Sequence, residues 1–194
     1  MVDAWAVVGL GNPGPRYEAT RHNVGQMVVD ELAARRGETL RAHRSNARVA
    51  ETWLRPGGAK LVIAKPNSFM NVSGGPVSAL AAFYGIPPER VVIVHDELDI
   101  PFDSVKLKIG GGHGGHNGVR DVVKALGTAE FPRVRVGVGR PPGRADPADW
   151  VLSPFSPAQR DTLAHLVGDA ADAIEDLVAD GLLAAQQRHH APRD

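Results

Sequence analysis

The chain has 194 residues, 20.6 kDa, 43% apolar and 23% charged side chains, and no net charge. At about 150 residues per domain this is one domain, long enough to bury a core without metal or disulfide. It is too apolar to be disordered and not basic enough overall to be a general polyanion binder. The absence of cysteine removes disulfides, thiolate nucleophiles and cysteine-based metal centres. A basic-then-apolar leader and an apolar run near membrane length are both missing. The expectation is therefore a cytoplasmic protein, neither exported nor membrane-bound.

Residues 5–10 are a short apolar run ended by GLGNPGP, a buried strand entering a loop. Residues 23–36 carry Val24, Met27, Val28, Val29 and Leu32 at helical spacing, with Gly37 as a stop. Residues 48–54 alternate and 60–64 are apolar; with Pro56-Gly57-Gly58 between them they predict a hairpin. A helix follows over 75–84, stopped by Gly85, then a buried strand over 91–95 and the acidic loop DELD. Residues 105–109 read as a strand, 117–126 as a helix and 133–138 as a strand. Residues 139–155, rich in Pro, Gly and Asp, read as a loop long enough to be a lid. Ser156 to Gln159 forms a capping box with Pro157 at the first helical position, opening an amphipathic helix to about residue 179. A short piece over 181–187 and a polar tail complete the chain. The predicted organisation is a single domain over 1–188 and a tail over 189–194.

Alternating strands and helices predict an α/β fold, a three-layer αβα sandwich around a twisted, mostly parallel mixed sheet. Ligands in such sheets bind beyond the carboxyl ends of the strands. Polar loops follow Leu10, Ala64, His95 and Ile109. If those strands run parallel, Asn12, His22, Asn71, Asp96, His116 and Asn117 meet on one rim.

Each motif has competing readings. Gly9-Leu10-Gly11-Asn12-Pro13-Gly14 matches the dinucleotide fingerprint, but Pro13 and Pro15 remove two N–H donors and the helix starts only near Asn23. His22 reads as a surface histidine or part of a helix-capping segment, or as a general base if Asp96 holds one ring nitrogen. Asn71 and Ser73 read as helix caps, or Asn71 as a carbonyl-binding amide. The pentad from Asn71 lacks the first glycine of a nucleophile elbow. Within GGGHGGHNG, residues 110–118, His113 and His116 offer a metal pair lacking a third His or Cys. Asn117 offers a donor to a carbonyl or its oxyanion.

Charge is uneven along the chain. Residues 101–144 hold eight basic side chains (Lys106, Lys108, Arg120, Lys124, Arg133, Arg135, Arg140, Arg144) against Asp103, Asp121 and Glu130. The remainder of the chain to residue 194 holds three basic and nine acidic side chains. This polarity would steer a polyanion to one face.

The blocks GLGNPGPRYEATRHNVG, KPNSFMNVSGG, HDELDIP, KLKIGGGHGGHNG and RVRVGVGRPPG, in this order and at this spacing, resemble the bacterial peptidyl-tRNA hydrolase family. The likeness runs from about Val7 to Phe155. It implies a monomeric α/β hydrolase that cleaves the ester joining peptide to tRNA, without metal, cofactor or obligate protein partner. His22 then matches the catalytic base and Asp96 its orienting carboxylate. Asn12, Asn71 and Asn117 match the asparagines that hold peptide, water and oxyanion. Met70 and His116 match flanking site positions, and Tyr17 an aromatic at the mouth. Lys108 and Arg135 match the pair that clamps the tRNA 5′-phosphate, and 139–155 the mobile loop over the cleft. Ser68 stands where threonine is usual and Asp103 where glycine is common. Nothing carries over to the tail from His189.

Overall fold

A computed structural model describes residues 3–190. Seven strands form one sheet: β1 (Ala4–Gly9), β2 (Arg41–His43), β3 (Ala47–Trp53), β4 (Lys60–Pro66), β5 (Val91–Glu97), β6 (Val105–Ile109) and β7 (Pro132–Gly137). Their order is β2-β3-β4-β1-β5-β7-β6. The central four, β4, β1, β5 and β7, run parallel. At one edge β2 and β3 are antiparallel additions, and at the other β6 is antiparallel to β7.

Strand alternation sends successive side chains to opposite faces. Val7, Leu61, Ile63, Val92 and Val94 pack with α1 (Val24–Ala34) and α5 (Arg160–Asp180). Ala6, Val8, Val62, Val91 and Ile93 pack with α2 (Gly74–Tyr84) and α3 (Asn117–Leu126). The three-layer architecture is as expected. Both faces of the central strands are covered, so they read in the sequence as continuous apolar runs.

One close approach places the site. A Cβ at Gly9 would collide with the backbone of Gly25, and a Cβ at Gly25 with the carbonyl of Val94. Bare backbone here lets the start of α1 descend onto the carboxyl ends of β1 and β5. The 3-10 turn Arg21–Asn23 that leads into α1 is thereby set directly over Asp96.

The structure departs from the sequence reading in four places. Strand β2 is unforeseen, because it is three residues long with two of them exposed. Strand β6 ends at the opposite rim, since Ile109 pairs with Pro132 at the start of β7. The glycine-rich loop therefore has to climb back along the sheet to bring His116 and Asn117 to the site. Residues 139–155 are not all loop: they include α4 (Pro147–Val151), capped by the Asp146 carboxylate. Finally, α6 (Leu182–His189) continues past the expected short piece. Gln186 Nε2 donates to Leu107 O at 3.1 Å, and Leu107 N–H donates to His190 Nε2 at 2.8 Å. These two side chains cover the free edge of β6, where unpaired backbone would otherwise invite another strand. His189, read as the start of the tail, is also held, with Nε2 2.7 Å from Asp176 Oδ2. The rest of the expected tail, 191–194, lies outside the described residues. Among the described residues, no helix is long and apolar enough to cross a membrane.

Candidate active site

A cleft of about 430 Å³ opens at the carboxyl ends of β1, β4 and β5. Its polar floor is Asn12, His22, Asn71, Asp96, His116 and Asn117, the set expected to converge. Apolar walls come from Phe69 and Met70, from Leu98, and from Pro147, Ala148, Val151 and Leu152 of the α4 segment.

Asp96 ends a buried apolar strand and is only 2% exposed. Its Oδ2 lies 2.8 Å from His22 Nδ1 and its Oδ1 lies 2.7 Å from His116 Nε2. Burial pushes the Asp96 carboxyl up, but the charge and hydrogen bonds of His116 and His22 outweigh it. The carboxyl is held well below the usual carboxylate range. The proton positions follow from the partners. His116 caps α3 by accepting the Val119 N–H on Nδ1 at 3.2 Å, so its Nε2 carries the hydrogen given to Asp96. An ionised Asp96 likewise takes the Nδ1 hydrogen of His22. The Nε2 lone pair of His22 is then left for the cleft, to which this side chain is 17% exposed.

Asn12 is fixed through its oxygen: Oδ1 accepts the Met70 N–H at 2.7 Å, which leaves the NH₂ group to address a bound molecule. Its backbone is clasped by Asn23, whose Oδ1 accepts the Asn12 N–H and whose Nδ2 donates to Asn12 O, both at 2.9 Å. Asn23 was not singled out from the sequence, although its place beside His22 at a helix start was the available signal. Asn71 and Asn117 are exposed at the cleft. Neither Asn71 nor Ser73 caps α2 with its side chain; Asp121 of α3 does so, accepting the Gly74 N–H at 2.8 Å. The Ser73 hydroxyl donates to Met70 O and is buried, as suits a structural serine rather than a nucleophile.

The remaining expected residues lie around the cleft. Tyr17 does not line the cleft, but its ring lies edge-on to that of the lining residue Phe69, centroids 6.4 Å apart. Lys108 and Arg135 do not line the cleft. They share the face of the β6–β7 edge with Lys106 and Arg133. Burial, then the charges of Arg135 and Arg133, pull the Lys108 ammonium below its usual value. Burial also lowers Arg135, against the attraction of Glu97, a cleft residue. Glu97 is thus the acidic group of the cleft whose charge acts on both Lys108 and Arg135.

His22, Asp96 and His116 are the group of potential metal ligands among the described residues, their ligand atoms within 4.8 Å. Both carboxylate oxygens are already joined to ring nitrogens by hydrogen bonds. A cation at ligand distances of about 2.0–2.2 Å would have to displace both protons and spread the rings. His113 stays out of this group, its Nδ1 accepting the Gly115 N–H at 3.0 Å. The glycine fingerprint likewise opens no helix: a bend and turns occupy the chain from Gly14 to Ala19.

Fold and site together define an α/β protein with a buried aspartate paired to two histidines at the floor of an apolar-walled cleft. Comparison with known proteins narrows this. Residues 6–194 match the family described as Peptidyl-tRNA hydrolase. The chain is 61% identical over 190 residues to the peptidyl-tRNA hydrolase of Arthrobacter sp. (strain FB24), covering 98% of each. It is 59% identical over 197 residues to that of Kineococcus radiotolerans, covering 99% of this chain and all of the relative. The crystal structure of peptidyl-tRNA hydrolase from Acinetobacter baumannii matches with a TM-score of 0.89 at 34% identity, over all of this chain and 97% of the other. The chain belongs to the peptidyl-tRNA hydrolase family.

Proposed function

We propose that this protein hydrolyses the ester between a peptide and the terminal ribose of tRNA, with His22 as general base. His22 Nε2 takes a proton from water, whose oxygen attacks the acyl carbon. The Asp96 carboxylate keeps the ring in the working tautomer and stabilises the imidazolium. Asn12, Asn71 and Asn117 between them hold the peptide, the attacking water and the developing oxyanion through their amide groups. The acyl–oxygen bond then breaks and the ribose oxygen recovers the proton from His22, leaving free tRNA and a peptide carboxylate. An ester needs neither metal nor covalent intermediate for this. A placed base supplies about 10²–10⁴-fold and one oxyanion donor about 10²–10³-fold.

The observation that carries this reading is the 2.8 Å contact from His22 Nδ1 to a buried Asp96, which frees the other ring nitrogen for the cleft. Met70 and the apolar walls hold the acyl side chain, Tyr17 borders its entrance, and His116 positions Asp96. On the neighbouring sheet edge, Lys108 and Arg135 take the tRNA 5′-phosphate. The enzyme acts in the cytoplasm as a monomer, without a protein partner. The test is release of the acyl group from an N-blocked aminoacyl-tRNA by purified protein in EDTA. Release at an undiminished rate is expected; loss of activity in the chelator would favour a metal on the His22–Asp96–His116 group instead.

A further inference from the structure

The hydrolytic chemistry leaves Arg21 unused, yet it is one of the most constrained side chains in the molecule. It precedes His22 and is 4% exposed. Its guanidinium carbon lies 3.4 Å from the centre of the Trp150 ring and 5.5 Å from that of Phe155. Nη1 donates to the Trp150 and Ser153 carbonyls, each at 3.3 Å, and to Ser153 Oγ at 2.7 Å. The backbone joins in, with Arg21 N–H donating to Ser153 O at 3.1 Å and Thr20 bridged to Pro154. Trp150 Nε1 in turn donates to Gly139 O at 2.9 Å, closing the segment on itself.

These partners carry no net charge, Nε has no hydrogen-bond partner among the described residues, and burial lowers the guanidinium pKa. A buried cation so placed is a costly way to fill space, and an apolar side chain of similar volume is often as stable. What the guanidinium adds is direction: a planar fork that hydrogen-bonds in one plane and stacks on a ring face. The five-residue α4 is too short to hold its own shape. It nevertheless carries part of the wall of the cleft, so its position is imposed by contacts from outside, among which Arg21 is stacked on its Trp150 ring and bonded to its Trp150 carbonyl.

We propose that Arg21 is a positioning residue, which locks the α4 wall of the acyl cleft to the turn bearing His22 so that acyl side-chain size is registered against the base. This rests on the functional reading above. Pro147, Ala148, Val151 and Leu152 would touch the acyl side chain, and residue 21 transmits that contact to residue 22.

The test compares kcat and KM for N-acetyl-leucyl-tRNA and N-acetyl-glycyl-tRNA, with thermal unfolding measured alongside. Wild type should favour the leucyl substrate. Arg21→Met should reduce that preference about tenfold, within the range of about 10–200-fold that small differences in apolar fit command. Trp150→Ala should do the same, and the double variant should be no worse than either alone. Trp150→Phe keeps a ring face under the cation and should retain most of the preference. If Arg21→Met fails to fold, the two Trp150 variants carry the test with the cation still in place. Equal losses on both substrates, additive effects in the double variant, or no wild-type preference would overturn the coupling while leaving the hydrolase reading intact. Wild-type inactivity on both substrates would overturn that reading and the coupling with it.

Discussion

Two charges of opposite sign are buried on adjacent strands, and they are neutralised in different ways. Asp96 on β5 is 2% exposed and takes ring N–H groups on both oxygens. Arg133 on β7, three register positions lower, is 1% exposed and gives its Nη hydrogens to the carbonyls of Gly111, Gly112 and Ala129. Imidazoles exchange protons near neutrality; carbonyls do not. On the proposed mechanism, the first region is the one that moves protons. The other fixes the return path of the glycine loop, beside the cations Lys108 and Arg135 that share its face of the sheet edge. On the proposed function, the difference separates pH-dependent chemistry from salt-dependent binding.

Disabling the proton-moving region should have the largest effect. His22→Ala should lower kcat by about 10²–10⁴-fold with tRNA affinity kept. Asp96→Asn preserves shape but no longer demands a hydrogen on His22 Nδ1, so it should fall in the same range. Single-turnover hydrolysis and filter binding separate the two quantities. An Asp96→Asn enzyme near wild-type activity would remove the role given to the carboxylate.

Arg133→Met tests the carbonyl-satisfied charge. It strands up to three loop carbonyls, at about 1–3 kcal/mol for each one that water cannot reach. Urea denaturation should show a large loss of stability. In the folded fraction, the shape of the pH–rate profile should remain that of wild type. A displaced profile would mean that the two regions are not separate.

The patch above Arg133 should respond to salt. Lys108→Ala or Arg135→Ala should raise KM about tenfold, as for loss of one charge-assisted hydrogen bond. Each should also reduce the slope of log K against log salt by about 0.7–0.9. On tRNA lacking its 5′-phosphate, variants and wild type should converge. If the deficit persists there, these cations contact another part of the nucleic acid.

The same contrast explains what could be read without coordinates. His22, Asp96 and the asparagines were legible because local punctuation, an apolar run and then a polar loop, places each at a strand or helix end. The direction of β6 was not, since Val-Lys-Leu-Lys-Ile alternates identically in either direction. The convergence of His116 and Asn117 was right, but it comes from the glycine loop doubling back rather than from a parallel strand. Arg21 on Trp150 joins residues 129 apart, with no local pattern to announce it. Arg133 looked like one more surface cation in a basic segment, because burial of a charge by backbone carbonyls depends on how a remote loop folds over it.

The smallest effect concerns His95, under the proton-moving region. Its Nδ1–H donates to Asp96 O at 2.7 Å and its ring lies against His116, centroids 4.8 Å apart. Burial, and then the neighbouring His116, lower its pKa to about 3. In the unfolded chain the same imidazole titrates at about 6.5. Between those values the unfolded state binds a proton that the folded state refuses. Stability owed to this residue is thus complete above about pH 6.5 and falls as pH drops toward 3, by up to about 1.4 kcal/mol per pH unit. Asp96 has the opposite charge type, but its depressed pKa also removes stability on acidification, only below its unfolded value of about 3.9. The interval from pH 6 to pH 4.5 therefore isolates His95 from Asp96. His95→Phe, which keeps a ring against His116 and cannot take a proton, should flatten the slope of unfolding free energy in that interval. The Asp96-dependent fall at lower pH should survive. An unchanged slope would mean that His95 is protonated in the folded protein, and the region beneath Asp96 would then be as proton-permeable as the one above it.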